Sequence, residues 1–156
     1  MAAGHPIIEQ LALEQIEHNL FRGYSENLGT PRVFGGQVIG QALIAALRTV
    51  NDLHCHSLHG YFLRPGDPSL PIIYEVDRIR DGRSFTTRRD IAIQSGQAIF
   101  NMSCSFQVLE TGLRHQMKAP DVPKPDDLPD ENEVFASRTQ KLPEPMVEMM
   151  MRERPI

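Results

Sequence analysis

Apolar residues recur at every second position near residue 100, and this alternation predicts the first element. They stand at Ala98, Phe100, Met102, Cys104, Phe106 and Val108, and all the intervening residues except Ile99 are polar. An alternation with a period of two is typical of an antiparallel strand with one face toward the core. Residues 97–109 are therefore predicted to form a half-buried strand.

A nearly continuous apolar segment covers residues 35–49 and predicts a helix. Its apolar positions leave almost no polar face: Val38, Ile39, Ala42, Leu43, Ala45, Ala46 and Leu47. A helix that is apolar nearly all round is buried rather than laid on a surface. Gly36 and Gly40 lie four residues apart on one side of it, where a backbone can approach closely. We predict a helix wrapped by the rest of the domain.

The other patterned segments complete an α+β layout. An amphipathic helix is predicted for Ile7 to Glu17, because Ile8, Leu11 and Ile16 share one face. Further strands are predicted at 20–26, 57–65, 71–80 and 83–94. A strand, a buried helix and an antiparallel meander describe one sheet rolled around one helix. This is the hot-dog fold.

Two dipeptides predict the tight turns of the meander. Asp81-Gly82 is suited to a two-residue type I′ hairpin, since glycine tolerates positive φ. Ser95-Gly96 marks the next reversal.

The glycines of VFGGQVIG permit two other interpretations of the helix, and both fail. A dinucleotide-binding G-x-G-x-x-G would need glycines at positions 35, 37 and 40, but position 37 is glutamine. A membrane span needs roughly 20 apolar residues, and Arg48 and Asn51 end the apolar run too early. The interpretation of this segment as a buried core helix therefore remains.

Composition then limits the function classes. The chain has 156 residues, which is enough for one domain with a real core, and a net charge of -4. This charge favours neither nucleic acid nor an anionic membrane as a partner. Cys55 and Cys104 do not make a disulfide framework, and the N-terminus does not look like a signal peptide. We expect a reduced, cytoplasmic protein without membrane insertion.

The chain changes character near residue 110. Prolines become frequent at 120, 123, 125, 129, 143, 145 and 155, and carboxylates crowd the segment 121–133. Such a segment buries too little apolar surface to fold alone, so 113–132 is predicted to be extended. We divide the chain into a hot-dog domain, 1–112, and a connecting segment, 113–156, with a short helix in ENEVFASRTQKL and a methionine-rich end.

Three motifs carry a resemblance to a known family. F-G-G-Q-x-x-G-Q-A, Y-F-L-R-P-G and R-D-G-R-S-F occur together and in order. With their surroundings, over about residues 9–130, they closely resemble the N-terminal half of the acyl-CoA thioesterase II family, the bacterial TesB and peroxisomal type. The resemblance implies hydrolysis of fatty acyl-CoA to fatty acid and CoA, in the cytoplasm, or in peroxisomes if the source is eukaryotic.

The resemblance also implies what this chain lacks. In that family two hot-dog domains lie in one chain, and water is activated by an Asp, Thr and Gln set of the second domain. None of the three is assigned to a residue here. Residues 130–156 resemble the start of the connection to that second domain. The chain alone is expected to be inactive or weakly active, and to form a homodimer or to pair with the second domain.

Candidate substrate-binding residues begin at the buried helix. The backbone at Gly35, Gly36 and Gln37 offers unpaired N–H groups to a thioester carbonyl, with Gly36 and Gln37 as the expected oxyanion donors. Close helix–sheet packing is the alternative role of the glycines. For the phosphates of CoA we select Arg83 and Arg88 from the arginines around the Asp81-Gly82 hairpin. A solvated ribbon held by salt bridges is the alternative.

Catalytic candidates are sparse. Gln37, His56 and Gln107 could orient a water, although each residue type is commonly structural. Cys104 belongs to the apolar register of its strand and is not favoured as a nucleophile. No metal or other cofactor is predicted, because in the sequence H-C-H-x-x-H His59 would point away from His54 and His56 on a strand.

Two other functions stay open. A hot-dog dehydratase or isomerase usually pairs a histidine with a carboxylate on the helix, but helix 35–49 has no Asp or Glu. A non-catalytic domain whose role is pairing or acyl-thioester binding is the other alternative.

Overall fold

The computed structural model of the chain describes residues 6–25, 30–130, 133–134 and 137. Its elements are α1 (Pro6–Gln10), β1 (Leu13–Glu17), β2 (Leu20–Gly23), α2 (Gly35–Leu47), β3 (His54–Phe62), β4 (Ile72–Asp81), β5 (Phe85–Gln94), β6 (Gln97–Gln107) and a 3₁₀ turn (Pro125–Asp127). By contacts the chain divides into residues 1–111 and 112–156.

The strands form one antiparallel sheet with α2 packed against one face. The strand order is β1-β2-β4-β5-β6-β3, so β1 and β3 are the edges. Helix α2 contacts β5 most extensively. The predicted hot-dog arrangement of one sheet around one helix is confirmed. Among the described helices, none has the length and apolar character to cross a bilayer.

Small side chains bring α2 close to the sheet. Ala42, Ala45 and Ala46 are fully buried, and their single methyl groups let the helix backbone approach the strands. The opposite side of the helix is less covered than predicted, because Ile39, Leu43 and Ile44 are only partly buried and Leu47 is exposed. The helix is therefore enclosed on its sheet side alone.

The alternation in β6 is confirmed, with one irregularity. Phe100, Met102 and Phe106 are buried against the helix. A register shift lies at the start of the strand, where Ile93 pairs with Ala98 and Ala92 with Phe100. This shift gives Ile99 no partner of its own and leaves it buried as well, next to the glycine-containing turn that follows β3.

The predicted helix Ile7 to Glu17 is wrong. Helix α1 ends at Gln10, and Leu13–Glu17 form β1. Strand β1 pairs with β2, where Arg22 binds Glu14 at 2.6 Å. Pairing in a hairpin with β2 satisfies the backbone of 13–17, and this pairing outweighs the helical spacing of the apolar residues.

The Ser95-Gly96 turn is confirmed, whereas the type I′ turn at Asp81-Gly82 is wrong. Ser95 and Gly96 have φ of 48° and 73°, and Gln94 pairs with Gln97 across them. Within the described residues, Gly82 is not among those with positive φ. It begins a three-residue connection, donates its N–H to the Phe85 carbonyl at 3.1 Å, and has no room there for a Cβ.

The second unit is exposed throughout its described N-terminal part. Residues 112–130 contain only the 3₁₀ turn as regular structure. Of the predicted helix 131–142, residues 133–134 and 137 are helical, and the others lie outside the described residues. The methionine-rich end also lies outside them.

Candidate functional site

A cavity of about 660 Å³ lies at the N-terminus of α2. It is enclosed by the segment before the helix, the turn after β3 and the start of β6. Its lining residues are Thr30, Pro31, Arg32, Val33, Phe34, Gly35, Val38, Phe62, Leu63, Arg64, Pro65, Gly66, Ile99 and Phe100. The lining is mostly apolar with two arginines, which suits an apolar chain that carries an anionic group.

Backbone hydrogen bonds hold the walls of the cavity together. The Ile99 carbonyl accepts from the N–H groups of Leu63 and Arg64 at 2.8 and 3.2 Å. The Arg64 side chain donates to the Ala98 carbonyl at 2.7 Å. Val33 donates its N–H to the Gly66 carbonyl at 2.9 Å, which joins the segment before α2 to the turn after β3. The cavity is thus largely preformed.

The helix N-terminus has unpaired donors next to this cavity, and Gly35 is one of the lining residues. The carbonyl of the N-cap residue, Phe34, accepts from the N–H groups of Gln37 and Val38 at 3.1 and 3.3 Å. In the described part of the chain, the N–H groups of Gly35 and Gly36 have no acceptor. These two amides carry the positive end of the helix dipole, so they suit a carbonyl oxygen that gains negative charge. The expected donor pair therefore shifts by one residue, from Gly36 and Gln37 to Gly35 and Gly36.

Both glycines are also needed for space. A Cβ on Gly35 would lie 2.9 Å from Cζ of Phe62, and one on Gly36 would lie 2.5 Å from Cε1 of Phe34. The absence of side chains lets two aromatic rings rest on the first turn of the helix. The same two glycines therefore allow both the close packing of the rings and access to the backbone amides.

The side chain of Gln37 points away from the cavity. Gln37 is 5 % exposed, and its Nε2 donates to the Tyr24 carbonyl at 2.8 Å. Gln41, one turn later, donates to the same carbonyl at 3.0 Å and to the Gln10 carbonyl at 2.6 Å. Its Oε1 accepts from Tyr74 Oη at 2.7 Å. Gln37 thus fixes the chain that follows β2. The sequence analysis missed Gln41, although its spacing of four from Gln37 places both amides on one helix face.

His56 and Gln107 lie at the opposite end of the sheet from the cavity. The Nε2 of His56 is 2.9 Å from Ser105 Oγ, and its ring meets Phe85 edge-on at 5.7 Å. Gln107 pairs with Phe85. Since a strand rises about 3.3 Å per residue, His56 is about 20 Å along β3 from Phe62. One chain therefore does not bring Gln37, His56 and Gln107 into one site.

Arg88 has a structural position instead of a solvent-facing one. It is 1 % exposed, and its five N–H groups all have acceptors. The acceptors are Thr49 Oγ1, Asp81 Oδ1 and the carbonyls of Thr49, Arg80 and Thr87. No N–H remains to bind a phosphate, so the proposed substrate contact of Arg88 does not fit this placement.

The other arginines around the hairpin fit better with the alternative of a solvated ribbon than with a phosphate site. Arg89 forms an exposed ion pair with Asp77 at 2.9 Å, and Arg78 donates to Asn19 at 2.9 Å. Arg83 is exposed in the connection between β4 and β5, and no hydrogen bond or ion pair engages it in the described structure. Of the selected pair, Arg83 alone is accessible to a ligand.

Comparison with known proteins shows the family of this chain. A sequence model of the acyl-CoA thioesterase N-terminal domain matches residues 23–107, more than half of the chain. The chain belongs to this family. Acyl-CoA thioesterase 2 of Haemophilus influenzae is 46% identical over 150 residues, which cover 96% of this chain and 52% of that protein.

Solved structures give the same result for the fold. The acyl-CoA thioesterase II TesB2 of Mycobacterium marinum is 50% identical with a TM-score of 0.73, over 81% of this chain and 48% of that one. A hot dog protein from Alicyclobacillus acidocaldarius is 23% identical with a TM-score of 0.70, over 81% of this chain and 49% of that one, and it supports the fold alone. The chain spans about half the length of these relatives.

Asp90 is a buried acid that the sequence analysis missed. It is 0 % exposed on the helix-facing side of β5, and among the described residues neither of its carboxyl oxygens has a hydrogen-bond partner. Burial raises its pKa to about 8, so the carboxyl holds its proton near neutral pH. Asp90 stands two residues before Ala92 in the alternation of β5, so both side chains point toward the core. This spacing could have identified a carboxyl at a core position.

Two nearby groups are also affected by burial. The pKa of Tyr74 is raised by burial and, to a lesser degree, by Asp90. Burial raises the pKa of Cys104 to about 12, so it remains a thiol at neutral pH. In the parts of the chain that are described, no group of three His, Cys, Asp or Glu side chains is arranged for a metal ion.

Proposed function

We propose that the chain supplies the N-terminal hot-dog half of a fatty acyl-CoA thioesterase, which hydrolyses acyl-CoA to a free fatty acid and CoA. The observation that carries the proposal is a pair of unpaired amides, that of Gly35, which lines the apolar cavity, and that of Gly36, the next residue. The acyl chain occupies the cavity, and its carbonyl oxygen accepts from these amides. Attack by water places negative charge on this oxygen, where the helix dipole stabilises it.

The cavity does not supply the base that hydrolysis needs. Its described lining contains no aspartate, glutamate, histidine or lysine, and arginine does not accept a proton at neutral pH. Asp90 is buried in the core and is not a lining residue. The base therefore has to come from a second hot-dog domain. In a homodimer the partner copy offers His56 and Gln107, which we expect to orient water without replacing that base. A dehydratase is disfavoured for the same reason, since α2 carries no acid.

The exposed edge of β3 is the proposed surface for this partner. Its sequence HCHSLHGYF has no proline and none of the charged residues that commonly protect a free edge, and Leu58 and Tyr61 are exposed on it. Antiparallel pairing of two β3 strands near Leu58 would bring the first half of one β3 beside the cavity of the other. This arrangement would place His56 and Gln107 of one copy near Gly35 and Gly36 of its partner, and we propose a homodimer of this kind.

Arg83 is proposed to bind the CoA phosphates in the same assembly. It lies near the β3 start in the sheet, because Phe85 pairs with Gln107 and Gln107 with His54. Pairing along β3 would bring this end of the sheet toward the partner's cavity. Guanidinium groups bind phosphate strongly, and no described residue engages the donors of Arg83.

Hydrolysis of palmitoyl-CoA, followed by thiol release, tests the function. The chain alone is expected to act at least ~100-fold more slowly than a two-domain relative, because loss of a general base typically costs about that factor. Gly36→Pro removes one free N–H, and Gly36→Ala is its matched control with the amide retained. We expect Gly36→Pro to be about 100-fold slower than Gly36→Ala. Full activity of the chain, or equal rates for both variants, would contradict the proposed site.

A non-catalytic acyl-thioester-binding domain is the second candidate. The lack of a base in the described cavity lining favours it. Tight binding of a non-hydrolysable acyl-CoA analogue, without any hydrolysis when the chain is mixed with a second hot-dog domain, would select this alternative. The cytoplasm remains the proposed location, supported by the two free cysteines, which suit a reducing compartment.

A further inference from the structure

Phe62 occupies a position between the sheet and the first turn of α2. It is the last residue of β3, pairs with Phe100 of β6, and its ring lies 4.8 Å from the Phe100 ring. On its other side the ring rests on Gly35, where a Cβ would come within 2.9 Å of it. The ring therefore lies beside one of the two free amides.

Phe62 is also the wall residue that can be replaced without opening the core, because it is 56 % exposed on an edge strand. Its ring is held between Phe100 and the backbone of Gly35. Leu63 and Arg64, the next wall residues, are bound through their backbone to Ile99. A group that approaches the Gly35 amide thus meets a fixed backbone on one side and the Phe62 ring on the other.

We infer that Phe62 determines the width of the acyl group that reaches the Gly35 and Gly36 amides. A straight chain has only hydrogen atoms next to its carbonyl and passes beside the ring. A methyl branch on that carbon takes the space that the ring fills, because Gly35 already lets the ring touch the helix backbone. The inference rests on the proposed function, and it adds a preference for straight over α-branched acyl groups.

The test compares two non-hydrolysable ketones, S-(2-oxohexadecyl)-CoA and its 3-methyl counterpart, which differ by one methyl group beside the carbonyl. Their dissociation constants are measured by calorimetry with the full chain. The wild type should bind the straight ketone at least about 10-fold more tightly, which is the lower end of discrimination by one methylene. Phe62→Ala should remove most of that ratio, and Phe62→Leu should give an intermediate ratio.

Ile79→Ala is the matched control. Ile79 on β4 is 53 % exposed, and it neither lines the cavity nor lies on β3. Ile79→Ala should keep the wild-type ratio, and light scattering and thermal unfolding of both alanine variants show whether assembly or folding changed.

A double-mutant cycle tests the contact itself. Gly35→Ala should weaken binding of both ketones in the wild type, because the new Cβ displaces the Phe62 ring into the cavity. In the Phe62→Ala background, Gly35→Ala should have little effect. An unchanged ratio in Phe62→Ala, or additive effects in the cycle, would overturn the inference while the proposed function stood. If the wild type bound neither ketone, the proposed function would fail, and the inference with it.

Discussion

Arg88 ties strand β5 to the C-terminal end of helix α2 through Thr49. Its Nε donates to Thr49 Oγ1 at 2.7 Å, and its Nη2 donates to the Thr49 carbonyl at 3.0 Å. Thr49 Oγ1 donates in turn to the Ala46 carbonyl at 2.7 Å, in the last turn of the helix. A cation at this end complements the helix dipole. The contact joins the two layers of the fold at the end of the helix opposite the cavity.

Arg88→Met should destabilise the domain strongly. The change leaves the Thr49 and Arg80 carbonyls without their buried donor, and each unsatisfied group costs about 1–3 kcal/mol. We expect the free energy of unfolding, measured by urea denaturation, to fall by about 3 kcal/mol. Arg89→Met is the control, because the Arg89–Asp77 ion pair is exposed and such pairs contribute about 0–1 kcal/mol. Equal losses for both variants would show that the buried contacts of Arg88 are not the cause.

Asp90 should make stability decrease as pH rises. Its folded pKa is about 8, above the ordinary value of 3.8, so the folded state keeps a proton that the unfolded state releases. Below about pH 4 both states hold the proton and there is no penalty. Between about pH 4 and pH 8 the contribution of this group falls by about 1.4 kcal/mol per pH unit, and above pH 8 it is constant.

Asp90→Asn isolates this effect, since the amide keeps the shape and does not titrate. The unfolding free energy of the wild type minus that of Asp90→Asn should decrease as the pH rises from about 4 to about 8. Asp90→Val should be more stable than wild type at pH 7, because it removes an unpartnered polar group from the core. A wild-type minus Asp90→Asn difference that is flat with pH would contradict the assignment of a neutral buried acid.

Elements with a strict local pattern could be predicted from the sequence. Strand β6 and helix α2 are examples, because alternation and a continuous apolar run indicate the type and place of an element. The apolar run of α2 overstated its burial, since one side of the helix is only partly covered. The prediction of a type I′ turn at Asp81-Gly82 was wrong because Arg88 binds the Asp81 carboxylate, and this contact lies outside the dipeptide. The glycine there is needed for space beside the Phe85 carbonyl, which no dipeptide rule contains.

The candidate site was harder to predict because its contacts are long-range. Gly35 and Gly36 could be found from the helix start alone, since the first N–H groups of any helix lack internal partners. Arg88 was selected for its charge, yet five acceptors from three segments of the chain meet around it only after folding. His56 and Gln107 were grouped with Gln37 by residue type, and the sheet places them about 20 Å along β3 from the cavity.

Gln41→Leu should destabilise the domain more than Gln37→Leu. Replacing Gln41 removes three side-chain hydrogen bonds and leaves the buried Tyr74 hydroxyl without this acceptor. Replacing Gln37 removes its bond to the Tyr24 carbonyl, which keeps the donor from Gln41. We expect losses of about 2–3 kcal/mol for Gln41→Leu and about 1 kcal/mol for Gln37→Leu in urea denaturation. Gln37→Leu should also keep most of the binding of S-(2-oxohexadecyl)-CoA. Loss of that binding in a folded Gln37→Leu variant would show that Gln37 contributes to the substrate site.

The two edges of the sheet should differ in their effect on assembly. Leu58 on β3 and Ile16 on β1 are comparably exposed, at 42 % and 46 %. β1 carries three other exposed residues, of which Glu14 and Glu17 are charged, whereas β3 has no charged residue to oppose pairing. If the homodimer forms along β3, Leu58→Lys places two like charges at its centre and should give a monomer by light scattering at tens of micromolar. Ile16→Lys should remain dimeric. A dimer that survives Leu58→Lys and dissociates with Ile16→Lys would place the interface on the other edge, and a monomeric wild type would remove the dimer altogether.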